Sequence, residues 1–295
     1  MLEYDSIKEL TDAAESAGRK ISEVVLEDQA RAMDDTPDSL LQRMEENFSV
    51  MCEAAKQGQE EGLHSMSGLT GGEGFRMKTY AAAGGGLSGP FLTKAMAVAL
   101  AVAGCNAAMG KIVATPTAGS CGILPGCLVP LFEEGRAGKQ EIILSMFTSG
   151  AFGMVIAKNA CIAGAQGGCQ AECGSASGMA AAALTELMGG TPSQCGDACA
   201  IALASQLGLV CDPVAGLVEI PCIKRNVSGV MIAFSSADMV LAGIEAKIPV
   251  DECIAAMRSV GDSLPASLRE TAGGGLAATP TGRALQEKVF GKETL

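Results

Sequence analysis

Tryptophan is absent from this 295-residue chain, tyrosine occurs twice and histidine once. A core without large aromatics must be aliphatic, and alanine, leucine, valine, isoleucine and 15 methionines supply it. Positive charge is also short. There are 21 Lys and Arg against 33 Asp and Glu, a net charge of −12. A nucleic-acid partner needs a basic face, so this balance argues against one and for plain solubility. Long apolar runs are scarce too. The longest uncharged stretch, 112–132, is interrupted by Pro116, Pro125 and Pro130. Other runs meet Lys94, Lys158 or Glu172 before the roughly 18 residues of a membrane span. The start, MLEYDSIKEL, lacks the pattern of a secretory signal. The expectation is a cytoplasmic protein with no membrane partner. No P-loop, no G-x-S-x-G elbow and no C-x-x-C pair occurs, which disfavours a structural zinc knuckle.

What remains is 48% apolar residues, 18% charged residues and 38 glycines. That supports one large buried core rather than disorder. Over residues 1–60 the pattern predicts three polar, amphipathic helices. In the third, Thr36 can cap, Pro37 takes the first position, and Leu40, Leu41, Met44, Phe48, Met51 and Ala55 form one apolar stripe. Over 61–295, glycine-rich loops alternate with Ala/Leu/Met segments that read as helices at about 90–109, 138–159, 175–189, 192–208, 226–245 and 249–262. TPSQ at 191–194 is a capping box. Strand-type alternation and a β-α-β rhythm are missing. The fold class is therefore all-α: a single domain, 1–295, in which 1–60 are polar helices and 61–295 a buried helical core.

Few residues can move a proton. His64, the one histidine, stands in the first glycine loop, where such a residue is usually just solvated. Lys158, Glu172, Glu219, Lys224 and Arg225 are charges in apolar surroundings, suited to ion pairs, carboxylate binding or, for the glutamates, proton transfer. SMSGLTGG, TPTAGSCG and GSASG have the composition of anion-binding loops at helix N-termini, although tight turns need the same residues. Twelve cysteines stand out in a chain expected in a reducing compartment. Most should be small core hydrophobes. Glycines precede Cys169, and prolines lie beside Cys211 and Cys222, which suits an iron–sulfur site. Cys173 falls one helical turn from Cys169, so geometry alone does not choose between them.

Together TPTAGSCGILPG, GAQGGCQAECGSASGMAAAA, CDPVAGLVEIPCIKRN, GGGLAATPTGR and SGLTGG resemble the α subunit of the iron–sulfur-dependent L-serine dehydratases (L-serine ammonia-lyases), over essentially the whole chain. The resemblance implies a 4Fe-4S cluster held by Cys169, Cys211 and Cys222, with the other nine cysteines, Cys173 among them, left in the core. It implies β-elimination of water from L-serine to pyruvate and ammonia, with the open iron as Lewis acid, within amino-acid degradation. Resemblance and composition together nominate substrate loops 67–72, 115–122 and 164–168, through Ser67, Gly68, Thr70, Gly71, Thr115, Thr117, Ser120, Gly167 and Gly168. Lys224, Arg225 and Asn226 are the catalytic candidates.

Longer single-chain relatives carry a further α/β domain with an S-S-S-H-T motif, which this sequence lacks. The resemblance therefore implies the two-subunit type, with a separate β subunit as partner and as a source of the base. Some relatives also place a C-terminal cysteine on the open iron, and the tail VFGKETL has none. The rival readings are a related lyase acting on L-threonine or L-cysteine, and a non-catalytic iron–sulfur protein. A carrier normally fills all four iron positions with protein ligands, and no fourth ligand is evident.

Overall fold

The computed structural model describes residues 4–291 and, among them, thirteen α-helices and no β-strand beyond two isolated bridges. The helices are α1 (Ile7–Ala17), α2 (Ile21–Ala32), α3 (Pro37–Gly58), α4 (Glu73–Ala82), α5 (Gly89–Ala107), α6 (Ile123–Glu133), α7 (Lys139–Asn159), α8 (Gly164–Gly167), α9 (Ser175–Leu187), α10 (Pro192–Ala204), α11 (Cys222–Leu241), α12 (Val250–Ser263) and α13 (Pro280–Phe290). The fold is all-α, as expected. The last tail residues, 292–295, lie outside the described residues.

The polar helices form where the capping chemistry puts them. The Thr36 hydroxyl accepts from the Ser39 N–H at 3.2 Å, and Leu40, Phe48, Met51 and Ala55 of the α3 stripe are buried. At α10 the box is complete. The Thr191 hydroxyl accepts from the Gln194 N–H, and the Gln194 side chain accepts from the Thr191 N–H at 2.9 Å.

The centre is α9, whose residues 175–186 are all buried. Its run of alanines lets α6, α7, α10 and α11 approach closely on all sides. Helices α5 and α7 are long and apolar enough to cross a membrane, but half and two thirds of those stretches, respectively, are buried inside the fold. Helix α6 lies where the sequence pattern places no helix, starting inside the glycine-rich stretch 114–126 that reads as a loop. It is nevertheless buried from Ile123 to Leu131, and packing outweighs the hydrogen bond that Pro130 cannot make. Helix α11 starts at Cys222, four residues ahead of the expected 226, directly after Pro221.

Candidate active site

Three segments bring Cys169, Cys211 and Cys222 together. Cys169 follows Gly168, whose φ of +76° is the left-handed conformation that favours glycine; a Cβ there would also stand 2.9 Å from the Leu209 carbonyl. Gln170 then fixes this turn. Its backbone N–H donates to the Leu209 carbonyl, its side-chain amide donates to the Met257 carbonyl, and its amide oxygen accepts from the Gly208 N–H, each at 2.9 Å. Residues 170–174 form a widened, π-type helical turn that runs into α9, a feature common at functional sites. Cys211 lies on an extended segment: its N–H donates to the Leu268 carbonyl and its own carbonyl accepts from the Glu270 N–H. Cys222 opens α11 after the cis Ile220–Pro221 bond.

The three thiols are buried and near enough that ionisation of one disfavours ionisation of the others. Burial is the first cause that pushes Cys222 up to about 12, and it pushes Cys211 up as well; the Cys169 sulfur adds to both. Cys169 goes the other way. Its sulfur lies 3.4 Å from that of Cys173, whose hydrogen bond holds Cys169 low, and the Arg225 guanidinium beside it adds to the effect. The Cys173 thiol is held high by the same contact.

Arg225 is a fixed cation. Its guanidinium donates to the Val210 carbonyl and to Asp212, both at 2.8 Å, and the other Asp212 oxygen accepts from the Leu276 N–H at 2.7 Å. Asn226 is fully buried and braces the 115–122 loop. It donates to the Gly119 and Cys222 carbonyls and accepts from the Gly122 N–H at 2.9 Å. Lys224 is exposed and faces away, lining a groove of about 600 Å³ with Arg76, Tyr80 and Val227.

The loops expected to hold substrate differ among themselves. In the 115–122 loop, Ser120 accepts from Thr117 and donates to the Thr115 carbonyl at 3.1 Å, while the buried Thr115 hydroxyl has no partner. Gly167 packs on Ala171. Ser67 and Thr70 spend their hydroxyls on Glu219, at 2.8 Å each; Gly68 is in the left-handed region, and Gly71 pairs with His64 across an isolated bridge.

Two carboxylates, Glu172 and Glu219, read in the sequence as charges in apolar surroundings suited to ion pairs or proton transfer, have defined places in the structure. Glu172 reaches towards Gly164, where a Cβ would meet its carboxylate at 2.8 Å and the Cys211 sulfur at 3.0 Å. Burial pushes the Glu172 carboxyl up, and the Thr117 hydroxyl opposes this. Glu219 is buried. Asp212 went unread, although it stands inside the CDP motif and its contact with Arg225 is what holds the motif in shape.

Among the described residues no three His, Cys, Asp or Glu side chains close in tightly enough for a single metal ion. A cubane cluster is wider than an ion and asks for thiols set further apart. The donor set fits one: three buried soft sulfurs, a fixed guanidinium, and a glycine cradle at Gly164 that leaves room beside Cys211. A cavity of about 620 Å³ between α3, α4 and α5 lies apart from these residues.

The sequence model of the family described as "Serine dehydratase alpha chain" matches residues 16–277. The probable L-serine dehydratase alpha chain of Bacillus subtilis (strain 168) is 51% identical over 288 residues, covering 98% of this chain and 96% of its own length. The L-serine dehydratase alpha chain of Peptoniphilus asaccharolyticus is 44% identical over 282 residues, covering 96% and 97%. An L-serine dehydratase of Escherichia coli (strain K12) is 44% identical over 181 residues, which are 61% of this chain and 40% of that longer protein.

Proposed function

This chain belongs to the serine dehydratase alpha chain family, and from that membership we propose that it is the cluster-bearing subunit of an L-serine ammonia-lyase, working with a β subunit on a separate chain. The observation that carries the iron–sulfur part is the meeting of Cys169, Cys211 and Cys222, drawn from three segments and buried around Arg225. Those cysteines would hold a 4Fe-4S cluster. When bound, a cluster with three protein thiolates offers one open iron as a Lewis acid towards the substrate hydroxyl.

The chain's own residues do the positioning. The 115–122 loop leads into the start of α6, where the helix dipole favours the substrate carboxylate. The unpartnered Thr115 hydroxyl offers it a further donor, with Thr117, Ser120, Gly167 and Gly168 shaping the walls. Arg225 keeps positive charge beside Cys169, and Asn226 keeps that loop in place over α11. Lys224, on the outer face of α11, is closer to a docking role than to the reaction. Ser67 and Thr70 hold Glu219, and Gly68 and Gly71 shape the turn that carries them. The α-hydrogen and β-hydroxyl of serine leave as water, and aminoacrylate then hydrolyses to pyruvate and ammonia. The β subunit is the proposed source of the base. A cytoplasmic setting suits twelve cysteines that all stand as free thiols.

The test is pyruvate release from L-serine, L-threonine and L-cysteine by the two chains purified together without air and loaded with iron and sulfide. Release from L-serine that tracks iron content supports the reading. A preparation with a full cluster and no serine turnover sinks it.

A further inference from the structure

Glu219 is a buried carboxylate with no cation. It is 6% exposed, and no ion pair among the described residues includes it. Its partners are hydroxyls. Ser67 Oγ lies 2.8 and 2.9 Å from its two oxygens, and Thr70 Oγ1 donates to the second at 2.8 Å. Behind them the bonds run one way. The Thr70 N–H donates to Ser65 Oγ at 3.3 Å, and Ser65 and Ser67 share a hydrogen bond at 3.3 Å. The Leu69 N–H also donates to Ser67 Oγ, at 3.0 Å. Such a chain polarises towards its end and stabilises an anion there. The SGLTGG turn is therefore already filled by an anion, and that anion belongs to the protein.

Neutral hydroxyls lessen the cost of burying a charge but do not cancel it. Among the described residues no Lys, Arg or His forms an ion pair with Glu219. Glu219 stands three residues before Cys222, and its neighbour Val218 meets Gly119 beside the Glu172 carboxylate. Asp212 already engages Arg225. Around the three thiols stand Glu172, Glu270 and Asp212 with one committed guanidinium, and Glu219 lies one turn of chain ahead of Cys222, so positive charge is short.

Resting on the dehydratase reading, we propose that Glu219, steadied by Ser67 and Thr70, receives the α-ammonium of the amino-acid substrate. The serine ammonium supplies the missing cation, and the 65–70 loop serves that end of the substrate while the 115–122 loop serves its carboxylate. The proposal also gives selectivity: a hydroxy acid of the same shape brings no positive charge to Glu219.

The test compares the parent two-chain holoenzyme with Glu219→Gln, which keeps the shape and removes the charge. Iron per chain and melting temperature are matched first. The KM for L-serine is expected to rise about 30-fold or more, the size seen when one member of a buried charge pair is removed. Competitive inhibition by glycerate, which is serine with a hydroxyl in place of the ammonium, should change less than about threefold. Thr70→Val, which removes one donor and leaves the charge, should give a smaller rise in KM with the same indifference to glycerate, and it serves if Glu219→Gln does not fold. Equal weakening of L-serine and glycerate would make Glu219 a support for the loop and overturn the proposal. So would an unchanged KM, or failure of the variant to assemble with the β subunit, which would mean that a partner cation meets Glu219. A parent enzyme inactive on L-serine would fail the dehydratase reading itself, whereas an active parent with an indifferent variant fails only this inference.

Discussion

Cys195, Cys199 and Cys253 are as deeply buried as Cys169, Cys211 and Cys222, and burial pushes the thiols of all three up. Their neighbours are different. The first group sits where α10 and α12 meet α1, among Ile7, Leu203, Val250, Ile254 and Met257. The second sits where two turns meet the start of α11, among Arg225, Glu172 and backbone held open by glycine. A buried cysteine in an apolar shell is a small hydrophobe. A buried cysteine beside a fixed guanidinium has the surroundings that the proposed cluster ligands would need. Neighbours separate the two groups where exposure does not.

The largest expected effect tests that contrast directly. Cys222→Ala should leave the cluster one thiolate short and remove most of the iron and essentially all serine turnover, because catalytic iron sites depend on every protein ligand. Iron per chain and cluster absorbance measure it. Retention of a full cluster in Cys222→Ala would move Cys222 to the apolar group and bring Cys173, in contact with Cys169, forward as the third ligand.

Arg225→Lys comes next. A lysine keeps the charge but cannot hold the Val210 carbonyl and Asp212 together from one planar group. Residues that orient ligands typically contribute about 10–100-fold to affinity or activity. A loss in that range, with iron still bound after gentle loading, is expected. Asn226→Ala should act on stability instead. It strips partners from the buried Gly122 N–H and the Gly119 carbonyl, at about 1–3 kcal/mol for each group left unsatisfied. Urea unfolding of the metal-free chain reads this out.

Much of this contrast could be read in the sequence, and the part that could not has a physical cause. Thr-Pro opens α3, α10 and α13, and each threonine caps its helix. The first two are legible in TPDS and TPSQ, whereas the third stands in TAGGGLAATPTG, 271–282, a glycine-rich stretch that reads as a loop. At Thr115–Pro116 the same pair opens no helix; the bond is cis and lies in the loop proposed to hold substrate. The motif cysteines stood out through their glycine and proline neighbours. The four-residue spacing of Cys169 and Cys173 also announces their contact. The bonds from Ser67 and Thr70 to Glu219 join residues 149 or more positions apart, and spacing along the chain carries no trace of them.

Two smaller predictions sharpen the comparison. In metal-free protein at mildly alkaline pH, an alkylating reagent should label Cys169 ahead of Cys199. The thiolate is the reactive form, so a group held below its ordinary value is ionised at lower pH, while one pushed up by burial stays protonated. Both are almost fully buried, so access does not favour either. Raising the pH should narrow the difference as more of the slower thiol ionises. Peptide mapping by mass spectrometry gives the order, and labelling of Cys199 first would remove the Arg225 and Cys173 argument for Cys169.

Cys199→Ala is expected to do least. It removes one sulfur from an apolar shell that can partly close over the gap, a change of about 1 kcal/mol by analogy with the loss of one buried methylene. The melting temperature should fall by a few degrees, roughly 2–4 °C for a chain of this size. Iron content, KM and kcat should stay at parental values, since no hydrogen bond or charged neighbour ties Cys199 to the α11 start. A loss of iron in Cys199→Ala comparable to that in Cys222→Ala would show that the two regions share one structural fate. Neighbours would then no longer distinguish a ligand cysteine from a core cysteine in this fold.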